Sequence, residues 1–194
     1  MSLIEILGAV LSALAVWLTS RRSMICWPVS LAAAGLYAWI FLQARLYADA
    51  GLQIAFCLYV VYGWQHWRQM AKPDGRIHVR RPTRPTLLKG LLCGAAGSAV
   101  WAFVLARFTN DPTPIMDATL TAYSILAQYW DTMRYRETWL LWIVVDSAYV
   151  ALFISRGLYP TALLYAGFVV LAANGYRLWK PEFLPERHPA RNPE

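Results

Sequence analysis

The chain has 194 residues, of which 58% are hydrophobic and only 15% charged, and its formal charge is +7. Soluble domains average about 45–50% apolar and about 25% charged residues, so this composition excludes an ordinary soluble domain and favours a chain whose solvent is lipid. The basic residues lie between apolar runs instead of along one stripe, which argues against a nucleic-acid partner.

Seven apolar segments, taken in chain order, predict an all-α integral membrane protein with seven transmembrane helices. The segments are 3–19, 24–42, 47–67, 87–107, 115–130, 138–155 and 158–179. The first lacks the basic residues that precede a cleavable signal, so we expect it to remain as a span. The segment 68–86 is rich in Pro and Arg and has no apolar periodicity, so we expect an exposed cytoplasmic linker there.

The distribution of positive charge predicts the orientation. If the seven segments alternate in direction, 15 of the 18 Lys and Arg residues fall on one side, and only Arg45, Arg107 and Arg156 fall on the other. The positive-inside rule then places the C-terminus in the cytoplasm and the N-terminus outside.

Tryptophans and cysteines give two further expectations. Four tryptophans lie near the ends of predicted spans, where we expect an interfacial belt: Trp27, Trp67, Trp139 and Trp179. The three cysteines are far apart inside apolar segments, so we expect them to be buried as small hydrophobic residues. The sequence has no Cys/His cluster of metal-ligand spacing and no Walker, nucleophile-elbow or HExxH motif. We therefore expect no metal, no cofactor and no catalytic residues.

An internal repeat emerges when the chain is shifted by 112 residues without a gap. The first three segments then superimpose on the last three, with 14 identities in the 64 positions from 5 to 68. The alternative is chance similarity between two apolar stretches, which explains matched Trp, Tyr, Gly and Arg residues poorly. The matches include Arg22 with Arg134, Trp27 with Trp139, Tyr37 with Tyr149, Gly63 with Gly175 and Trp67 with Trp179.

The repeat predicts a 3+1+3 arrangement of the helices. We expect a first three-helix repeat at 1–68, a cytoplasmic basic loop at 69–86, a linker helix at 87–107, a second repeat at 108–180 and a cytoplasmic tail at 181–194. Because three spans plus one linker restore the original direction, the two repeats are parallel, as in SWEET-type carriers. Such carriers bind their substrate between the repeats near the bilayer midplane.

Asp146 lies at the centre of the sixth segment, where an ionisable side chain is costly and usually faces a bundle interior or a water-filled cavity. One helical face carries, at i, i+3, i+7 and i+10, Trp139, Trp142, Asp146 and Tyr149. Aromatic side chains around an acid suit a flat, positively charged ring, through stacking and cation–π attraction. The alternatives are a protonated or hydrogen-bonded Asp146 and an aromatic stripe that serves packing or interfacial anchoring.

The fifth segment carries a polar face made of Asp117, Thr121, Ser124 and Gln128. Such residues are poor lipid contacts, so this face is expected to look inward, and Gln128 offers both an amide donor and an acceptor. Hydrogen bonding between helices explains the face equally well. Gln53 in the third segment and Asn174 in the seventh are the remaining deep amides.

Several stretches resemble the PnuC family of vitamin transporters. They are 62–67 (Tyr-Gly-Trp-Gln-His-Trp), 137–146 with its tryptophan-rich motif, and 174–179 (Asn-Gly-Tyr-Arg-Leu-Trp). The resemblance extends over all seven segments. It implies a SWEET-like fold, a homotrimer in the bacterial inner membrane and facilitated diffusion of nicotinamide riboside or a related vitamin. It also implies that a separate cytoplasmic kinase traps the vitamin by phosphorylation.

The resemblance carries the family's motif over to Trp139, Trp142 and Asp146, with counterparts for Gln53 and Asn174. Nicotinamide riboside transporters of the family have Asn at the position of Asp146, and other members carry thiamine. Both vitamins contain a permanently cationic ring, so Asp146 serves either one. We expect substrate contacts from Gln53, Gln128, Trp139, Trp142, Asp146, Tyr149 and Asn174. Thiamine uptake is the alternative function, and an integral-membrane enzyme or scaffold is a remote one.

Overall fold

The computed structural model describes residues 3–43, 47–71, 77–109 and 113–180, without the side chains of Glu5 and 47–52. These residues form seven α-helices: α1 (Leu3–Ser20), α2 (Cys26–Gln43), α3 (Tyr47–Met70), α4 (Arg84–Phe108), α5 (Pro114–Thr132), α6 (Thr138–Ser155) and α7 (Tyr159–Leu178). The prediction of an all-helical chain is confirmed, and each predicted boundary lies within three residues of the observed one. The predicted tail at 181–194 lies outside the described residues.

The helix ends follow from local sequence signals. Thr83 caps α4, since its hydroxyl accepts a hydrogen bond from the backbone N–H of Thr86 (3.4 Å), and proline stands in the first turn of α4, α5 and α7. The chain reverses after α1 and after α5 through residues with positive φ, Arg22 (58°) and Arg134 (62°). These two arginines are 112 residues apart, and their φ values are nearly equal.

The outer surface of the bundle is apolar. Of the described helices, three are long and apolar enough to cross a membrane by length and mean hydropathy alone: Cys26–Gln43, Arg84–Phe108 and Thr138–Ser155. Exposed large apolar side chains occur on all seven helices, and α4 presents Leu92, Val100 and Phe103 at 60–67% exposure. Water would not tolerate so large an apolar surface, so the chain is a membrane protein.

Four tryptophans pack together at one end of the bundle, where α1, α3, α5 and α7 end and α2 and α6 begin. We call Trp27, Trp67, Trp139 and Trp179 the tryptophan tetrad. All four are at most 2% exposed, and Trp67 and Trp179 lie 6.0 Å apart between ring centroids. Trp27 packs edge-on against Trp67 (5.1 Å), as Trp139 does against Trp179 (5.3 Å). The predicted interfacial belt was wrong: hydropathy places these residues near span ends but gives no information on which side of the helix they lie.

Contacts between the first and last three helices run through α1 with α7 and through α3 with α5, whereas α4 packs against α5. Hydrogen bonds from the indole groups of two tetrad residues link the first three helices to the last three. Trp67 Nε1 donates to the carbonyl oxygen of Asp131 (3.3 Å), and Trp179 Nε1 donates to those of Thr19 and Ser20 (3.2 Å each). Thr19 and Asp131 are 112 residues apart, as are Trp67 and Trp179, so the two sets of bonds are equivalent.

The segment between α3 and α4 departs from the predicted exposed linker. Ile77 and Val79 are only 2% and 4% exposed because they pack against the tetrad. The backbone of Arg80 is held between two residues of the α5–α6 turn, through Arg80 N to Arg134 O (2.9 Å) and Arg136 N to Arg80 O (3.2 Å). The expectation of exposure was therefore wrong for this part of the segment, which covers the tetrad end of the bundle.

The cysteine expectation holds only in part. Cys26 is buried beside the tetrad, but Cys57 is half-buried and Cys93 is exposed on the outer face of α4. In a membrane protein an outward face meets lipid, where a thiol is as acceptable as in a protein core.

Candidate functional site

A cavity of about 370 Å³ lies between the first and last three helices, with the tetrad at one end. We call it the central cavity. Six of the seven predicted site residues line it: Gln53, Gln128, Trp139, Trp142, Asp146 and Tyr149. They come from α3, α5 and α6, so the fold brings residues almost one hundred positions apart to a common space. Its volume lies in the range of about 300–1,000 Å³ typical of small-molecule sites.

Asp146 is an acid in the cavity wall, near the middle of α6. It lies eight residues into α6, or about 12 Å along the helix at about 1.5 Å per residue, and is 6% exposed. Among the described residues it makes no ion pair with a Lys or Arg side chain. A carboxyl group in such a place attracts a cationic ligand, because few water molecules compete with the ligand for it.

Aromatic rings form much of the remaining wall. Trp142 and Trp139 line the cavity from the same helix as Asp146, about one and two turns respectively towards the tetrad end. On the other side, Tyr149 lies 5.0 Å from Tyr165 and Tyr165 lies 5.4 Å from Phe168, measured between ring centroids. Such walls present flat faces that stack on a planar ring and attract a positive charge.

The residues on the polar face of α5 have two different roles. Thr121, Ser124 and Gln128 line the cavity, as an inward face requires. Asp117 does not line it: its Oδ2 accepts a bond from Arg156 Nη2 (3.1 Å), at the end of the bundle opposite the tetrad. The inward polar groups can bond an amide or hydroxyl group of a ligand, whereas Asp117 ties α5 to the end of α6.

Asn174 is the seventh predicted site residue, and it lies outside the wall of the central cavity. It is half-buried on α7 and does not line the central cavity, although Ala172 of the same helix does. The helical turn places position 174 about 200° around the axis from position 172, on a different face. A deep amide in a span was therefore not sufficient to identify an inward residue.

Sequence reasoning missed several residues that line the cavity. Tyr165 lies 112 residues after Gln53, and Asp131 lies 112 residues after Thr19, and all four residues are in the wall. Asp131 is 8% exposed although it follows the apolar stretch of its span. The internal repeat was the signal that could have identified Tyr165 and Asp131. When a residue of one repeat lines the cavity, the residue 112 positions away is expected to line it as well.

A second, larger cavity of about 610 Å³ lies on the outer side of the bundle, between α3, α4 and α5. It is lined mainly by small and apolar side chains and by none of the predicted site residues. The described residues also contain no group of three His, Cys, Asp or Glu side chains that could hold a metal ion. The central cavity is therefore the candidate site, because it combines a buried acid, amides and aromatic walls.

Known proteins similar to this chain are transporters. The family model for the nicotinamide mononucleotide transporter matches residues 2–181. The chain is 28% identical over 204 residues to the nicotinamide riboside transporter PnuC of Escherichia coli, covering 92% of this chain and 85% of that protein. It is 27% identical over 180 residues to the riboflavin/roseoflavin transporter RibM of Streptomyces davaonensis, covering 90% and 83% of the two chains.

A solved structure shares the fold. The crystal structure of the vitamin B3 transporter PnuC matches this chain with a TM-score of 0.73 at 23% identity, over 89% of this chain and 78% of that one. This likeness establishes the helical arrangement as that of a known transporter fold.

Proposed function

The chain belongs to the nicotinamide mononucleotide transporter family of membrane proteins, and we propose that it carries nicotinamide riboside or a closely related cationic vitamin across the bacterial inner membrane. The observation that supports this substrate class is Asp146, a 6% exposed acid in the wall of an aromatic cavity. Two relatives are named as vitamin transporters, of nicotinamide riboside and of riboflavin.

Electrostatics supports a cationic ring as the bound group. At about 4 Å and an effective dielectric constant of about 20, two unit charges attract by about 4 kcal/mol before desolvation costs are subtracted. The pyridinium ring of nicotinamide riboside lies against Asp146, and the aromatic walls stack on its faces. Gln53 and Gln128 then bond the carboxamide or ribose hydroxyls. Thiamine is the second candidate, because a carboxylate at position 146 complements its cationic ring equally well.

The proposed architecture is a 3+1+3 arrangement of two parallel repeats, 1–68 and 108–180, joined by the linker helix 87–107. Its main support is the composition of the cavity wall, which contains seven pairs of residues related by the 112-residue shift, including Ser12 with Ser124 and Phe56 with Phe168. The equivalent tetrad contacts also support it. Transport then occurs by rocking of one repeat against the other around the cavity, without a coupled ion or nucleotide.

The two repeats contribute different side chains to the cavity at equivalent positions. Where the second repeat supplies Gln128 and Trp142, the first supplies Val16 and Ser30 at the equivalent positions. The substrate is therefore held mainly by α5 and α6, while the first repeat closes over it.

We also propose an orientation in the membrane and an oligomeric state for the protein. The charge distribution supports an outside N-terminus and a cytoplasmic C-terminus, which places the tetrad end on the cytoplasmic side. The family resemblance supports a homotrimer and trapping of the product by a separate cytoplasmic kinase.

Uptake by the purified protein in proteoliposomes tests the function. We expect labelled nicotinamide riboside or thiamine to enter until its concentration is equal on both sides, and to accumulate further when a vitamin kinase and ATP are enclosed. Asp146→Asn is expected to reduce uptake of the cationic vitamin at least tenfold at low concentration. If well-folded wild-type protein takes up neither vitamin faster than protein-free vesicles, the proposed substrate class is wrong. Equal uptake by Asp146→Asn would contradict the role of the carboxylate only.

A further inference from the structure

Asp131 is a second buried acid in the wall of the central cavity, and the proposed binding of the substrate ring at Asp146 does not use it. It is the penultimate residue of α5 and is 8% exposed. Among the described residues, its Oδ1 has no hydrogen-bond partner and its carboxylate makes no ion pair with a Lys or Arg side chain. An unpaired carboxylate inside a membrane protein is costly, so such residues commonly mark the path of a substrate or ion.

The fold does not require an acid at position 131. Trp67 fixes this turn through the backbone oxygen of Asp131 (3.3 Å), a bond that any residue could accept. In the equivalent turn of the first three helices, Thr19 occupies the same position and accepts the equivalent bond from Trp179 (3.2 Å). The carboxylate is therefore available for a ligand.

The surroundings of Asp131 suit a transient site at the closed end of the cavity. Trp27 and Trp139 line the same cavity and are each 2% exposed, and the indole Nε1 of each has no hydrogen-bond partner among the described residues. Ile77 and Val79 cover the tetrad beyond them. This end of the cavity therefore has the same combination of groups, an acid and aromatic rings, that is found around Asp146.

The two acids are too far apart to hold one ring at the same time. The hydroxyl of Thr138 donates to the carbonyl oxygen of Ala127 (2.8 Å), which places the start of α6 level with that residue of α5. Asp131 lies a turn beyond Ala127 towards the tetrad, and Asp146 lies two turns beyond Thr138 in the opposite direction. At about 1.5 Å per residue, these twelve residues place the backbones of Asp131 and Asp146 about 18 Å apart along the bundle.

We propose that Asp131 is a second cation-binding residue, which receives the substrate's ring cation from Asp146 as the tetrad end opens. The inference rests on the proposed transport of a cationic vitamin. It assigns Asp146 to binding and Asp131 to passage out of the cavity. Loss of the Asp131 carboxylate should therefore slow transport of a cation without weakening its initial binding.

Transport of nicotinamide riboside and of its reduced form tests the proposal, because the reduced ring has nearly the same shape but no positive charge. In proteoliposomes, Asp131→Asn should slow maximal transport of the cationic form at least tenfold, with the KM changed less than threefold. Transport of the neutral form should change less than twofold. Asp131→Glu keeps the charge and should keep the wild-type ratio of the two rates. Asp117→Asn removes an acid from the same helix outside the cavity and is the matched control for that ratio.

Each other outcome contradicts the proposal. If Asp131→Asn slows both forms equally, the residue only supports the closed end of the bundle. If it raises the KM for the cation as Asp146→Asn does, the two acids form one site. If neither rate changes, Asp131 has no part in transport. Failure of the wild-type protein to carry nicotinamide riboside or thiamine would instead overturn the proposed function, and this inference with it.

Discussion

Gly175 on α7 is packed directly against the ring of Trp139, and this contact gives a stringent test of the packing. A Cβ at position 175 would lie 2.5 Å from Cδ2 and Cε2 of Trp139, whereas carbon atoms normally approach to about 3.5–4.0 Å. The ring would have to move by about 1 Å, but it is 2% exposed and held edge-on against Trp179. Overpacking of this kind costs about 1–3 kcal/mol, and that is the expected loss of unfolding free energy for Gly175→Ala.

Gly167→Ala is the matched control for this change. Gly167 lies in the same helix, and a Cβ there would meet nothing within 4 Å. Replacing a helical Gly by Ala in open space is expected to stabilise by up to about 1 kcal/mol. Thermal unfolding of the two variants in the same detergent should therefore give a lower midpoint for Gly175→Ala and an equal or higher one for Gly167→Ala, relative to wild type. If Gly175→Ala unfolds at or above the temperature of Gly167→Ala, the described packing of Trp139 is wrong.

Further predictions concern the bonds that join α5 and α6. Thr138→Val should lower the unfolding free energy by about 1–3 kcal/mol, because Thr138 is fully buried and its hydroxyl bonds the carbonyl oxygen of Ala127 (2.8 Å). Thr119→Val, whose hydroxyl bonds only its own helix at Ile115 (2.7 Å), should cost clearly less in the same unfolding assay, and the reverse order would contradict the assignment. Arg156→Gln should cost less than about 1 kcal/mol, since the ion pair with Asp117 is partly exposed (37% and 26%); a larger loss would show a role beyond this pair.

The helices could be predicted from the sequence because seven apolar runs are separated by basic or proline-containing turns. The structure reproduces their order and their limits closely. Hydropathy measures position along a span but not direction around it, and the tetrad shows the consequence. Trp27 and Trp139 lie near span ends as a belt would, yet they face inward, where Gly63 and Gly175 leave room for their rings. Matched Gly and Trp pairs in a repeat were the sequence signal for close packing.

The candidate site was predictable where helical spacing carried the information. Trp139, Trp142, Asp146 and Tyr149 share one face of α6, and all four line the central cavity. Asn174 does not line the central cavity, because a single amide in a span does not indicate which face of the helix points inward.

Two other features needed tertiary contacts. Asp131 follows an apolar run and so has the sequence position of an interfacial residue, yet it is only 8% exposed, in a cavity wall that it shares with two residues of the tetrad. Ile77 and Val79 alternate with polar residues over too short a stretch to indicate that they would pack against the tetrad.

Equilibrium binding to the purified protein tests the central claim most directly. Calorimetric titration of wild type and Asp146→Asn with nicotinamide riboside and with its reduced, uncharged form separates charge recognition from shape. We expect wild type to bind the cationic form at least tenfold more tightly than the neutral form, and Asp146→Asn to lose this preference while still binding the neutral form. Equal affinity of wild type for the two forms, or an unchanged preference in Asp146→Asn, would contradict the central claim.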